Sequence, residues 1–140
     1  MLKAEGGDAA GSLGEQVSRA TAILFVLLIL LALGWLFGVV HNWGEIASRP
    51  VRLAYLICDF TIVIPSGLVS IWGLRNGRRW ASLPFVFALG ALLFDTAHGV
   101  FYLLWDNYFG VPWIVAFVVL IALGIYVVYA IRVVQANLGL

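Results

Sequence analysis

Charge is what this 140-residue chain has least of: Asp, Glu, Lys and Arg make up 11% of it, against about 25% in an ordinary soluble domain. Eight basic and seven acidic residues cannot cover the surface of a folded domain without leaving large apolar patches. A soluble globular fold is excluded. Disorder is excluded as well, because it needs low hydrophobicity, and the apolar set from Ala to Cys makes up 64% of the chain. The formal net charge is +1 and no basic patch exists beyond one short loop, so nucleic acid is not a partner. The single cysteine, Cys58, cannot close an internal disulfide, which leaves the redox compartment open. It reads as a small buried apolar side chain, since the neighbouring Asp59 disfavours a second negative charge beside it. Also missing are a phosphate-binding glycine loop, a nucleophile elbow, a cysteine pair and a His-Glu-x-x-His motif, and with them the signatures of soluble enzymology.

What is abundant is uncharged length. Four stretches reach the ~20 apolar residues that a ~30 Å hydrocarbon core requires. From Arg19 to Glu45 no charge intervenes, from Arg52 to Arg75 only Asp59, from Arg79 to Asp106 only Asp95, and from Asp106 to Arg132 none. The expected fold is all-α, an integral membrane four-helix bundle with spans near 20–41, 52–74, 80–105 and 112–133. Residues 1–18 read as a flexible cytoplasmic tail and 19–140 as the membrane domain. Ser12 and Glu15 fit a capping box, which starts the first helix a turn or two before the bilayer. The first apolar run is too long for a signal-peptide core and no small-residue cleavage site follows it.

Orientation follows from the loops. The turn Arg75-Asn76-Gly77-Arg78-Arg79 holds three of the eight basic residues and is expected on the cytoplasmic side. Both termini then lie inside, with Lys3, Arg19 and Arg132, and only Arg49 and Arg52 lie outside. The expected location is the cytoplasmic membrane of a bacterium or archaeon. Trp43, Trp105 and Trp113 at one boundary and Trp72 and Trp80 at the other read as an aromatic belt. Pro50 and Pro112 open the second and fourth spans, where a missing N–H costs nothing. A faint parallel repeat pairs His41-Asn42-Trp43-Gly44 with Asp106-Asn107-Tyr108-Phe109-Gly110.

An ionisable side chain in hydrocarbon costs several kcal/mol unless paired, so its default reading is functional. At 1.5 Å per residue, Asp59 lies roughly 12 Å below the outer boundary, Asp95 roughly 15 Å and His98 roughly 10 Å. Asp95, His98, Tyr102 and Asp106 share one helical stripe, and Asp59, Ser66 and Ser70 form a second. If both stripes turn inward, they build an outward-facing pocket for a small ligand or cation, open to proton coupling, with Tyr102, His41 and Asp106 along its mouth. Asp95 and His98, one turn apart, are close enough to share a proton or hold one cation. Simple packing is the competing reading, since buried Asp and His also hydrogen-bond between helices.

No cofactor is the first expectation. Two alternatives stand beside it: a metal held by Asp59, Asp95 and His98 with His41 as a fourth ligand, and haem between His41 and His98. Either would make the chain a redox subunit. A third reading is a non-catalytic subunit or assembly factor, and beyond the lipid bilayer the expected partners are further copies of the chain or a larger membrane complex. Gly34 and Gly38 form a Gly-x-x-x-Gly face that invites close helix approach. Pro65-Ser66-Gly67 is expected to kink the second span and widen a cavity beside Asp59. Tyr126 and Tyr129 read as packing residues, and Arg75, Arg78 and Arg79 as a topology signal able to meet anionic headgroups.

Overall fold

The structure is a computed structural model that describes residues 5–105 and 111–139, with side chains from Ser12 onward apart from those at 103 and 105. Helix α1 covers Glu5–Ser48. A second rod follows in three parts: α2 (Pro50–Cys58), a π turn (Asp59–Val63) and α3 (Ile64–Arg75). A short 3₁₀ turn, Arg79–Ala81, leads into α4 (Ser82–Trp105), and α5 covers Val111–Leu138. No strand occurs among the described residues. Helix α1 packs on α3 and α5, and α4 packs on the same two, so the four rods close into a ring.

Four helical segments are long and apolar enough to cross a membrane: Ser12–Ser48, Pro50–Arg75, Arg79–Tyr102 and Val111–Leu138. The expected spans coincide with them, apart from a first helix that is longer at both ends. Their outward side chains are apolar: Phe25, Leu33 and Phe37 on α1, Phe94 and Phe101 on α4, Ile114 and Ile125 on α5 are all exposed. A surface of this kind is at rest in hydrocarbon, where helices satisfy their own backbone.

The amino-terminal stretch departs from its expected form as a tail. It is helical from Glu5, and Val17 joins the core with Ala20 and Leu24. Ser12 and Glu15 therefore sit inside a helix instead of capping one, and Glu15 pairs with Arg19 one turn on. The physical reason is that Val17 continues the stripe Ala20, Leu24 and Leu28 by one more turn, so burial extends the helix. At its other end α1 breaks at Asn42, whose φ of −135° and ψ of 32° are non-helical.

The turn between α3 and α4 is closed by a Schellman motif: Arg78 N–H donates to the Gly73 carbonyl at 2.8 Å and Gly77 N–H to that of Leu74 at 3.0 Å. Gly77 takes the left-handed position that the motif requires, with φ 67°. Gly77→Ala is expected to cost about 1 kcal/mol, read as a lower melting temperature in detergent. Just before it, Gly73 lets the chain fold back tightly, because a Cβ there would run into Ala81. Gly67 does the same for Leu28 of α1, which lies over its bare backbone.

These close approaches lie in the half of the bundle that carries the Asn76–Gly77 turn. There Leu24, Leu28, Phe85, Leu89, Ala130 and Val133 are buried. Tyr126 hydroxyl donates to the Ala20 carbonyl at 2.7 Å, tying α5 to α1, and Arg75 Nε donates to buried Thr21 at 3.2 Å. The opposite half is not closed in this way. Its helices stand around a cavity.

Candidate functional site

The second rod shapes that cavity through Pro65. Proline has no N–H and its ring clashes with the carbonyl four residues back. The helix answers with a wider turn, in which the Ile64 N–H reaches the carbonyl of Asp59 five residues earlier. A single π turn of this type shifts the face of everything beyond it. The buried stripe is accordingly Asp59, Val63, Gly67 and Ser70, not the expected Asp59, Ser66 and Ser70. Ser66 is rotated half out of the interior. Ser70 keeps its place, with its hydroxyl donating to the Gly67 carbonyl at 2.7 Å.

Asp59 is 2% exposed. Its Oδ2 accepts the indole N–H of Trp35 at 2.6 Å, a link from α1 to the π turn. Asp95 of α4 brings a second carboxyl against the first, near enough for direct side-chain and charge interaction. The hydroxyl of Tyr55, on α2, lies within electrostatic reach of both. Three rods thus converge on one acidic pair. The Oδ2 of Asp95 is buried without a hydrogen-bond partner among the described residues, and an orphaned buried acceptor calls for an explanation such as a bound ion or ligand.

Above the pair opens a cavity of about 1080 Å³, at the upper end of the ~300–1,000 Å³ usual for small-molecule sites. Its walls are largely apolar and include Leu30, Leu31, Ile46 and Val100. Gly34 and Gly38 belong to the same wall, which corrects their expected role as a helix-docking face. A Cβ on Gly34 would meet nothing within 4 Å, and one on Gly38 would meet only Ile46 Cδ1 at 3.4 Å. Bare backbone here makes room. Arg49, Arg52 and Tyr102 line the same cavity near the start of α2.

The expected site residues separate into those gathered here and those left elsewhere. Asp59, Asp95, His98 and Tyr102 all line the cavity. His98 does so at its exposed edge, stacked on Tyr55 with ring centroids 4.9 Å apart. His41 is outside it, because its position on α1 turns it to the surface; its Nδ1 lies 2.9 Å from the Phe37 carbonyl and its ring stacks on Phe37. Asp106 lies outside the described residues, as do the second copy of the repeat and the Trp105 side chain. No group of three or more His, Cys, Asp or Glu side chains is placed to hold a metal among the described residues. The proposed metal set of Asp59, Asp95 and His98 is therefore not assembled, since His98 is drawn off by Tyr55. His41 and His98 likewise do not face one cavity, as a shared haem would require. Cys58 is exposed, because Asp59 takes the inward position of that turn and its neighbour must point out.

Trp35 escaped the sequence reading. Its signal was available: it is the one tryptophan of six away from the span ends, where an indole N–H needs a buried acceptor. Trp35→Phe keeps the ring and removes the donor, leaving a buried carboxyl short of a partner. It is expected to lower stability by about 1.5 kcal/mol, measured as a drop in the thermal midpoint in detergent. Comparison of the chain with family models, with curated proteins and with solved structures found no match.

Proposed function

We propose that this chain is an integral membrane protein, both termini cytoplasmic, whose outward-facing cavity binds a small cation on the Asp59–Asp95 pair. The orientation is supported by the basic Arg75–Arg79 turn, which lies at the packed end, opposite the cavity. The observation that carries the binding reading is the meeting of two carboxyls at the floor of a cavity with one carboxylate oxygen unpartnered.

Two adjoining carboxylates in a low-dielectric interior repel, and the arrangement is stable only with a positive charge between them. A proton meets that need when the cavity is empty. An alkylammonium meets it equally well, with three N–H donors for the carboxylate oxygens and an apolar stem for the wall of Leu30, Leu31 and Ile46. Uptake of the cation then releases the proton. Trp35 fixes one oxygen of Asp59, so the pair is held in place before the ligand arrives, which lowers the cost of binding.

The test is calorimetric titration of the protein in phosphatidylcholine nanodiscs with n-heptylammonium, using the Asp59→Asn/Asp95→Asn variant to subtract partition into lipid. Saturable binding with proton release, detected through its dependence on buffer ionisation enthalpy, is the expected result. Identical titrations for the two proteins would remove the reading.

A further inference from the structure

The cavity carries a second set of polar groups near the start of α2. Arg52 donates to Glu45 at 2.8 Å, and Arg49 lies 3.5 Å from the same carboxylate oxygen. Among the described residues one carboxylate therefore serves two guanidiniums, which keep donors to spare. Both guanidiniums also sit over the ring of Tyr102, at 5.7 Å for Arg49 and 4.7 Å for Arg52. The ring is held under them. The Tyr102 hydroxyl, however, is buried without a hydrogen-bond partner among the described residues.

Two residues that line one cavity thus each carry a buried polar atom without a hydrogen-bond partner among the described residues, and the chemistry of the two atoms differs. Asp95 Oδ2 is an acceptor with negative charge beside it in Asp59. Tyr102 hydroxyl is a donor with positive charge beside it in Arg49 and Arg52. Arg52 and Asp59 are seven positions apart in sequence, as are Asp95 and Tyr102, which at 1.5 Å per residue places the two charge centres about 10 Å apart along the helices. Between them the lining residues are Tyr55 on α2 and Thr96, His98, Gly99 and Val100 on α4, with the flat faces of the stacked Tyr55 and His98 rings and Val100 available to an apolar chain.

We infer that the ligand is dipolar: an ammonium end on Asp59 and Asp95, an anionic end on Arg49, Arg52 and the Tyr102 hydroxyl, and an apolar chain between them. The inference rests on the cation reading above for one end and adds the other. A carboxylate or phosphate suits the second end, since guanidinium pairs bind such groups through charge-assisted hydrogen bonds. The separation excludes α-amino acids, whose charges are too close together to reach both sets. Long ω-amino acids fit.

The experiment compares 8-aminooctanoate with n-heptylammonium, the same amine chain without the carboxylate, by calorimetry in phosphatidylcholine nanodiscs. The expected result is an affinity at least about tenfold higher for 8-aminooctanoate, with no such gain for 4-aminobutanoate. Arg49→Gln/Arg52→Gln should remove that advantage and leave n-heptylammonium affinity within about twofold, which also shows that the variant is folded. Tyr102→Phe should remove part of it. Equal affinities for the two long probes would overturn the inference; that is the outcome if Arg49 and Arg52 merely hold lipid phosphates at headgroup depth. Absence of n-heptylammonium binding would instead overturn the cation reading itself, so the two failures are distinct.

Discussion

Replacing Gly34 and Gly38 together with leucine is expected to abolish cation binding, a loss of at least about 100-fold, or about 3 kcal/mol. The thermal midpoint in detergent should stay level or rise. Both glycines face the cavity, and neither Cβ would meet packed atoms beyond Ile46 Cδ1. The new side chains therefore enter the space the ligand needs. In a helix interior each substitution also removes the entropic penalty of glycine, about 0.8–1.0 kcal/mol relative to a good helix former. A close-packed Gly-x-x-x-Gly interface predicts the reverse, a lower midpoint, because bulky side chains would drive two helices apart. Calorimetry and tryptophan-fluorescence melting on the same preparation separate the two accounts. The same change at Gly67 or Gly73 serves as contrast, since a Cβ there meets Leu28 or Ala81 and overpacking costs typically ~1–3 kcal/mol.

The Asp59→Asn/Asp95→Asn variant should bind at least about 100-fold more weakly and melt higher. Removing the partner of a buried charged group typically costs ~2–5 kcal/mol of affinity. Stability moves in the opposite direction. A buried carboxyl pair that keeps one charge even with a shared proton is a burden on the fold, and replacing buried charged groups by neutral ones often stabilises by about 1–4 kcal/mol. Asparagine keeps an oxygen for the Trp35 N–H, and its new amide N–H groups have the carbonyl oxygen of the second asparagine beside them as an acceptor. If the acidic layer served only to fasten helices together, the variant would melt lower and assembly would suffer. A higher midpoint with lost binding is the signature of a site kept for function at the expense of stability.

The four spans were legible because charge is scarce and its positions bracket uncharged lengths matched to a bilayer. The placement of Asp59 and Asp95 within the second and third long apolar helical segments was legible for the same reason, and their proximity follows from adjacent rods turning polar residues inward. Detail failed where one residue's backbone changed the count. Spacing rules assume 3.6 residues per turn, and Pro65 imposes a π turn that moves Ser66 off the stripe. Gly34 and Gly38 were misread because small residues mark both tight contacts and hollows, and a sequence does not say which. His41 shares its expected role with His98 by type alone, yet α1 turns it to the surface, where it binds its own backbone. The Arg49, Arg52 and Tyr102 cluster joins α2 to α4, a relation between helices that no single periodicity encodes.

The central claim is that an ammonium lies between Asp59 and Asp95. Solid-state NMR distance measurement between ¹⁵N-labelled n-heptylammonium and ¹³C-labelled aspartate carboxyls in nanodiscs tests it most directly. The account predicts dipolar contact at ion-pair range, about 4 Å, with signal lost in both Asp59→Asn and Asp95→Asn. Contact that survives both substitutions, or no contact at a saturating concentration of the amine, would contradict it.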